Sequence, residues 1–314
     1  MPNRSPFFVV GAVRSGTTLL RLMLGHHPKI CRCDEFEYVA TAISGRSDWP
    51  DVKTYVAQLP WHRDFREAGF VPNESLPFPD LARDFLAQRQ RLDGRELVGA
   101  TVHNHFDELL RIWPDARFIH LRRDPRDVAR SCVEMGWYGN SWSAVDTWIR
   151  QDEAWQRIQE KLPPDRLLEV EFDELVADVE KTLRRITAFL GVEYDPAMLE
   201  LEKDTTYKRP SPRASRSWRD DASESDVRAM EARLGSRLAN AGYASSGLPS
   251  MILSPLKRLR LRLGDRYGRM RHSVRKYGAP LWLGSFVARR LVPIPAWRDG
   301  TQRAMQAIDQ RHLK

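Results

Sequence analysis

The stretch FFVVGAVRSGTTLLRLMLGHHP, Phe7 to Pro28, sets two glycines, an arginine, a serine and two threonines directly after an apolar run. Gly11 and Gly16 have the spacing of the loop that cradles nucleoside triphosphates, G-x-x-x-x-G-K-[ST]. In that loop backbone N–H groups hold phosphate oxygens and the lysine reaches the β/γ-phosphates. Here Thr17 stands in the lysine position, and the basic residue comes three places earlier, as Arg14. A loop between a strand and a helix aims N–H groups and the positive end of the helix dipole at a bound anion. With the Thr17 and Thr18 hydroxyls and the Arg14 guanidinium, the set suits a phosphate but is poorly equipped to act on a γ-phosphate. No apolar run ends in a clear magnesium-binding aspartate; FIHLRRD puts two arginines before its acid.

A second basic loop follows another apolar run. In RRDPRDVARS, Arg123 and Ser131 stand eight apart across a sharp turn and two helical turns. An arginine at a strand end and a serine on the next helix suit one more phosphate. Asp124 and Asp127 read equally well as acids that start a helix, and Arg126 and Arg130 as solvated surface. Groups able to accept a proton occur in CDEFE, with Glu35 and Glu37, and in GATVHNHF, with His103 and His105. These too have plain structural readings, as surface carboxylates and hydrogen-bonded imidazoles. The CRC spacing of Cys31 and Cys33 is not that of a zinc site.

These residues need elements to position them. Pro6–Val10, Glu96–Val102, Ala116–Arg123 and the run around LLEVE read as strands, the last ending in a turn. Between them lie helical patterns at Thr17–Gly25, Leu81–Arg91, Phe106–Ile112, the segment opening at Asp124 and Pro125, Ser143–Leu162 and Val179–Leu190. Trp148 and Trp155, seven apart on one helix, read as core. Ser44–Pro79 shows a weak pattern and reads as a surface-covering insertion. Asp226–Gly242 reads as one helix, followed by a linker. Strands alternating with helices predict a three-layer α/β/α fold around a central parallel sheet, with a P-loop-like phosphate-binding loop. The expected organisation is a domain over residues 1–245 and a basic amphipathic, helical C-terminal extension over 246–314.

Together, VRSGTTLL and FIHLRRDPRDVARS resemble the sulfotransferases that use 3′-phosphoadenosine-5′-phosphosulfate (PAPS). The segment Leu168–Gly191 and the later SRSWRDD are also similar to parts of that family, so the resemblance runs from about Pro6 to Tyr243. It implies sulfuryl transfer from PAPS to a hydroxyl, with adenosine 3′,5′-bisphosphate (PAP) as product and no metal required. By resemblance, Arg14, Ser15, Gly16, Thr17 and Thr18 hold the 5′-phosphosulfate, and Arg123 and Ser131 the 3′-phosphate. Arg216 and Trp218 belong to the basic loop that closes on the nucleotide. The missing lysine then has a reason, because the ligand has no γ-phosphate. The base is expected to be Glu35, followed by Glu37 and His103, since RLMLGHHPKICRCDEFE is similar to tyrosylprotein and bacterial members that use a glutamate there. Cytosolic members carry Lys-Thr-His at the second strand and many bacterial ones Lys-Thr-Pro. Here Ala100 replaces the lysine and His103 falls one place late. The rival readings are a P-loop kinase acting on a small hydroxyl compound and a non-catalytic nucleotide-binding protein.

Composition bounds the rest. No run of eighteen apolar residues exists, no signal-peptide core precedes the first strand, and the three cysteines are odd in number. The expectation is therefore a cytoplasmic protein without a disulfide framework. The net charge of +8 is unevenly spread. Ser254–Lys314 holds 15 Lys and Arg against 3 Asp and Glu, an excess of twelve, so the remainder carries −4. A basic segment mixed with Leu, Trp and Phe fits the face of an anionic membrane, and fits equally a partner subunit or the acidic body itself. Nucleic acid is not expected, because the body is acidic. Trp137, Tyr138 and Trp142 offer rings for a sugar or aromatic acceptor. A carbohydrate or glycolipid acceptor, lipid-linked if the membrane reading holds, completes the expectation; the oligomeric state stays open.

Overall fold

The computed structural model describes residues 5–200, 215–290 and 295–312. Four strands form its sheet: β1 (Phe7–Val10), β2 (Gly99–Val102), β3 (Arg117–Arg122) and β4 (Leu167–Glu171). Their order is β2–β1–β3–β4 and every pairing is parallel. Phe7 registers with Gly99 and Arg117, and Val10 with Val102 and His120. β1 is wholly buried, as a central parallel strand covered on both faces must be, which is why FFVV is an unbroken apolar run.

The alternation of side chains along β1 divides the core. Phe8 and Val10 face a cluster with Phe36, Trp113, Phe118 and Trp155. Phe7 and Val9 face another with Leu20, Met23, Leu24 and Ile186. The second layer is built by α1 (Thr17–Gly25) and, after β4 and α8 (Phe172–Ala177), by α9 (Val179–Leu190), which Asp178 caps and Gly191 ends. The first layer draws on α2 (Glu37–Ile43), α3 (Val52–Gln58), α4 (Arg63–Ala68), α5 (Phe78–Asp93) and the long α7 (Ser141–Lys161). This corrects the reading of Ser44–Pro79 as a surface cover: Tyr55, Phe65, Phe70 and Phe78 are all buried there. Its helices span only six or seven residues, too short to display a period. The segment after β4 is likewise a helix, α8, where a turn was expected.

By internal contacts the chain forms two compact units. One comprises the described residues of 1–128 and 147–220 and contains the sheet. The other comprises those of 129–146 and 221–314. The expected junction at 245/246 therefore falls inside the second unit. Helix α6 (Pro125–Glu134) and α7 each run from one unit into the other, and α10 (Trp218–Asp221) closes the first. The second unit holds α11 (Glu224–Leu234) and α12 (Arg237–Asn240), where one helix was expected; Gly235 at positive φ separates them. It continues with α13 (Pro255–Tyr277), α14 (Ala279–Arg290) and α15 (Pro295–His312). Within it the Arg233 guanidinium makes two hydrogen bonds, 2.8 and 3.0 Å, to Asp146 and lies over the buried Trp142 ring. Among the described residues no helix is long and apolar enough to cross a membrane.

Candidate functional site

Because all four strands run parallel, their C-terminal ends share one edge of the sheet, where α/β folds place their ligands. β1 leads there into Gly11–Gly16, β2 into His103, and β3 into Arg123.

The loop after β1 is set by its glycines. Gly11 has φ +147°, and a Cβ there would lie 2.4 Å from the Leu121 carbonyl oxygen. Gly16 has φ +94°, and its Cβ would lie 2.6 Å from the Phe172 ring. Arg14 also adopts positive φ, 70°, and its side chain is exposed. The loop then enters α1, whose first N–H groups lack carbonyl partners within the helix. Ser15 is buried, and its hydroxyl has no hydrogen-bond partner among the described residues. An orphaned hydroxyl in a loop that feeds a helix N-terminus fits a phosphate oxygen. Thr17 is buried and Thr18 half-buried on the first turn of α1.

Arg123, half-buried, holds this loop from the β3 side. Its Nη1 donates to the Arg14 carbonyl at 2.7 Å, and its guanidinium lies 4.4 Å from the Phe172 ring centre. Burial, with the Arg14 charge and against the opposing pull of Asp127, leaves its pKa below the ordinary arginine value. Ser131 is on α6, half-buried.

The candidate bases have different surroundings. Glu35 is drawn to β2 by a parallel bridge with Thr101. Its Oε2 lies 3.3 Å from His103 Nε2, and its Oε1 lies 3.7 Å from Arg21 Nε. His103 Nδ1 is 2.9 Å from the Gly11 carbonyl oxygen. A carbonyl only accepts, so Nδ1 carries a hydrogen. Nε2 then faces a carboxylate with its lone pair unless a proton sits between them. The pair therefore holds one proton. Burial raises the Glu35 pKa, but the hydrogen bond and charge of His103, then Arg21 and Arg63, outweigh it and leave it below the ordinary value. Burial lowers that of His103, and Glu35, the Gly11 carbonyl and Glu37 outweigh it and raise it. Both directions put the proton on the imidazole.

Glu37 makes other contacts. Its Oε2 accepts from the backbone N–H groups of His103 and Asn104, at 2.9 and 3.2 Å, and its Oε1 from the Asn104 amide. Gln151 of α7 donates in turn to Asn104 Oδ1 at 2.7 Å. Glu37 so ties the first turn of α2 to the end of β2. Arg21, Asn104 and Gln151 were not among the sequence candidates. Arg21 had a readable signal, standing one turn after Thr17 on the loop helix; the other two had none.

The basic loop residues also have contacts of their own. Arg216, exposed and at positive φ, has its Nε 3.0 Å from Asp173 Oδ2. Trp218 is buried, its backbone N–H donating to Asp127 and its indole N–H to Asp124. Arg126, for which solvated surface was one reading, is fully buried. It pairs with Asp124 at 2.7 Å and lies 3.7 Å from the Trp218 ring centre. Most of that loop, residues 201–214, lies outside the described residues. Trp137 is exposed, whereas Trp142 is buried. No group of three or more His, Cys, Asp or Glu able to hold a metal ion occurs among the described residues.

A family model described as the sulfotransferase family matches residues 6–196. An uncharacterized protein of Aquifex aeolicus is 29% identical over 227 residues, 68% of this chain and 28% of that protein. A protein-tyrosine sulfotransferase of Drosophila melanogaster is 25% identical over 209 residues, 62% of this chain and 40% of that protein. The chain thus spans less than half the length of either relative. Among solved structures, a sulfotransferase domain from the curacin biosynthetic pathway superposes with TM-score 0.57 at 15% identity, covering 78% of this chain and all of that one. The sulfotransferase domain of the Synechococcus PCC 7002 olefin synthase gives 0.53 at 21% identity, covering 79% and 98%.

Proposed function

The chain belongs to the sulfotransferase family, and from that premise we propose that it transfers a sulfuryl group from PAPS to a hydroxyl on a carbohydrate or glycolipid. The observation that carries this reading is that the proton-holding Glu35–His103 pair hangs from the carbonyl of Gly11, the first glycine of the phosphate loop. An acid–base pair fastened to an anion-binding loop is what a transfer to a hydroxyl requires.

The donor supplies a sulfuryl group on a 5′-phosphate and bears a 3′-phosphate. Gly11–Thr18 would hold the first phosphate: Ser15 Oγ and the N–H groups at the start of α1 are donors, and the Arg14 guanidinium supplies positive charge. Arg123 fixes the loop through the Arg14 carbonyl and would serve the 3′-phosphate. Arg216 and Trp218 frame the nucleotide from the loop that ends at α10. Glu35 would take the acceptor's proton as the new sulfur–oxygen bond forms and the bond from sulfur to the 5′-phosphate oxygen breaks, with PAP as the leaving group. His103 keeps that carboxylate ionised and oriented between turnovers. Glu37 acts as a fastener, since its oxygens already serve three donors.

Thermal stability with PAP, against ADP with magnesium, tests the donor. A ligand at a hundredfold excess over Kd stabilises by roughly 2.7 kcal/mol. Stabilisation by PAP alone, measured for each protein against its own ligand-free state and lost in Arg123→Ala, supports the reading. Stabilisation by ADP with magnesium instead replaces it with a kinase. An acceptor panel of sugars, glycolipids and tyrosine peptides decides the hydroxyl, the last because of the Drosophila relative's name.

A further inference from the structure

Helix α13 has two opposed faces. One is packed within its own unit: the Leu261 carbonyl accepts from the Asn140 amide at 2.7 Å, and Asp265 Oδ1 accepts from the Gly139 N–H at 2.8 Å. His272, on the same face, sits against Gly136. The other face carries Leu256, Leu259, Leu263, Tyr267 and Met270, which are 39–60% exposed. Their spacings of three and four residues keep them within about 80° of arc, on the side opposite the packed one. Arginines border this stripe on both sides: Arg260 and Arg271 on one, Arg262 and Arg266 on the other, all exposed. The single acid of the helix, Asp265, lies on the packed face, where it pairs with Arg269 at 2.7 Å.

We infer that this face of α13 is a docking surface for an anionic lipid bilayer, with the helix lying in the plane of the interface. A stripe of leucines with a tyrosine and a methionine buries in the acyl boundary, while flanking arginines extend to the headgroup phosphates. The charge pattern selects this occupant. A second copy of the helix would set arginine rows against arginine rows. A phosphate backbone would leave the leucines in water. Only a surface that is both apolar and negative meets the two kinds of side chain together.

The test is co-sedimentation of the full-length chain with vesicles of phosphatidylcholine alone and of phosphatidylcholine mixed with phosphatidylglycerol. Binding is expected on the phosphatidylglycerol vesicles and should fall with added salt. Arg262→Gln/Arg266→Gln should weaken it about fivefold per arginine, and Leu259→Gln/Leu263→Gln at least about tenfold. These side chains are exposed, so both variants should keep the wild-type melting temperature, which separates lost docking from lost fold. Equal binding to both vesicle types, or binding indifferent to the leucine pair, would overturn the inference. So would a chain that ignores vesicles and instead forms a dimer, or binds duplex DNA, through the same residues.

Discussion

Glu35 and His103 are two ordinary side chains whose chemistry is set by one carbonyl. With Nδ1 committed to Gly11, the imidazole turns its other nitrogen to Glu35, and the pair titrates as a unit. Glu35→Gln removes the base and keeps the shape. Single-turnover assays should show kcat lower by about 10²–10⁴-fold, with the thermal shift given by PAP unchanged. A matching loss in Gln variants of Glu37 alone would move the assignment. The pair also makes stability depend on pH. His103 has a higher pKa folded than unfolded. Its contribution is therefore complete below the unfolded value of about 6.5 and is lost as pH rises through the folded value. Glu35, lowered in the fold, contributes above its unfolded value of about 4.3 and loses this as pH falls through the folded one. In urea melts, the advantage of wild type over His103→Gln should be largest between these limits and shrink toward pH 9. A constant gap would mean that the proton is not shared in this way.

The elements show why some of this was legible and some was not. The acids at the start of α6 do more than begin a helix. Asp124 and Asp127 receive the N–H groups of Trp218, and Arg126 fills the space between Asp124 and the indole. α6 and α10 are thereby fastened together inside one unit. Asp124→Ala removes the 2.7 Å carboxylate partner of a buried guanidinium and should cost about 3–5 kcal/mol in denaturant melts. Adding Arg126→Met should restore part of that loss, because an apolar replacement for both charges removes the desolvation penalty. A double variant as unstable as the single one would show that the pair is not the source. In the sequence, the strand–loop–helix at Gly11–Thr18 and the start of α6 were readable because glycine spacing, a proline and a basic strand end are local signals. The burial of Arg126 was not, since its partner Trp218 lies 92 residues along the chain. Residues 44–79 hid their core role because helices of one or two turns carry no period, and only the scattered aromatics hinted at it. Glu35 was readable as a candidate, but its separation from Glu37 rests on which donors each meets, a three-dimensional fact.

At the scale of the whole chain, charge and contact divide it differently. Charge points to a basic tail from Ser254, while contacts place residues 129–146 and 221–245 with that tail. The connection between α6 and α7 explains the difference. Gly139 and Asn140, in that connection, donate their hydrogen bonds to Asp265 and the Leu261 carbonyl of α13. A chain cut after residue 245 would look complete by composition, yet it would lose both acceptors and the apolar surface around them. At about 1 kcal/mol per hydrogen bond, the cut should cost at least about 2 kcal/mol. For a unit of this size that is roughly 4–8 °C in Tm. Scanning calorimetry on residues 1–245 beside the full chain measures it. A fragment that melts with the full chain would make the helices from α13 onward a separable appendage. A fragment that melts early would make them structural support for the connection that carries Trp137, and the arginines of α13 would then have been added to a helix the fold already needed.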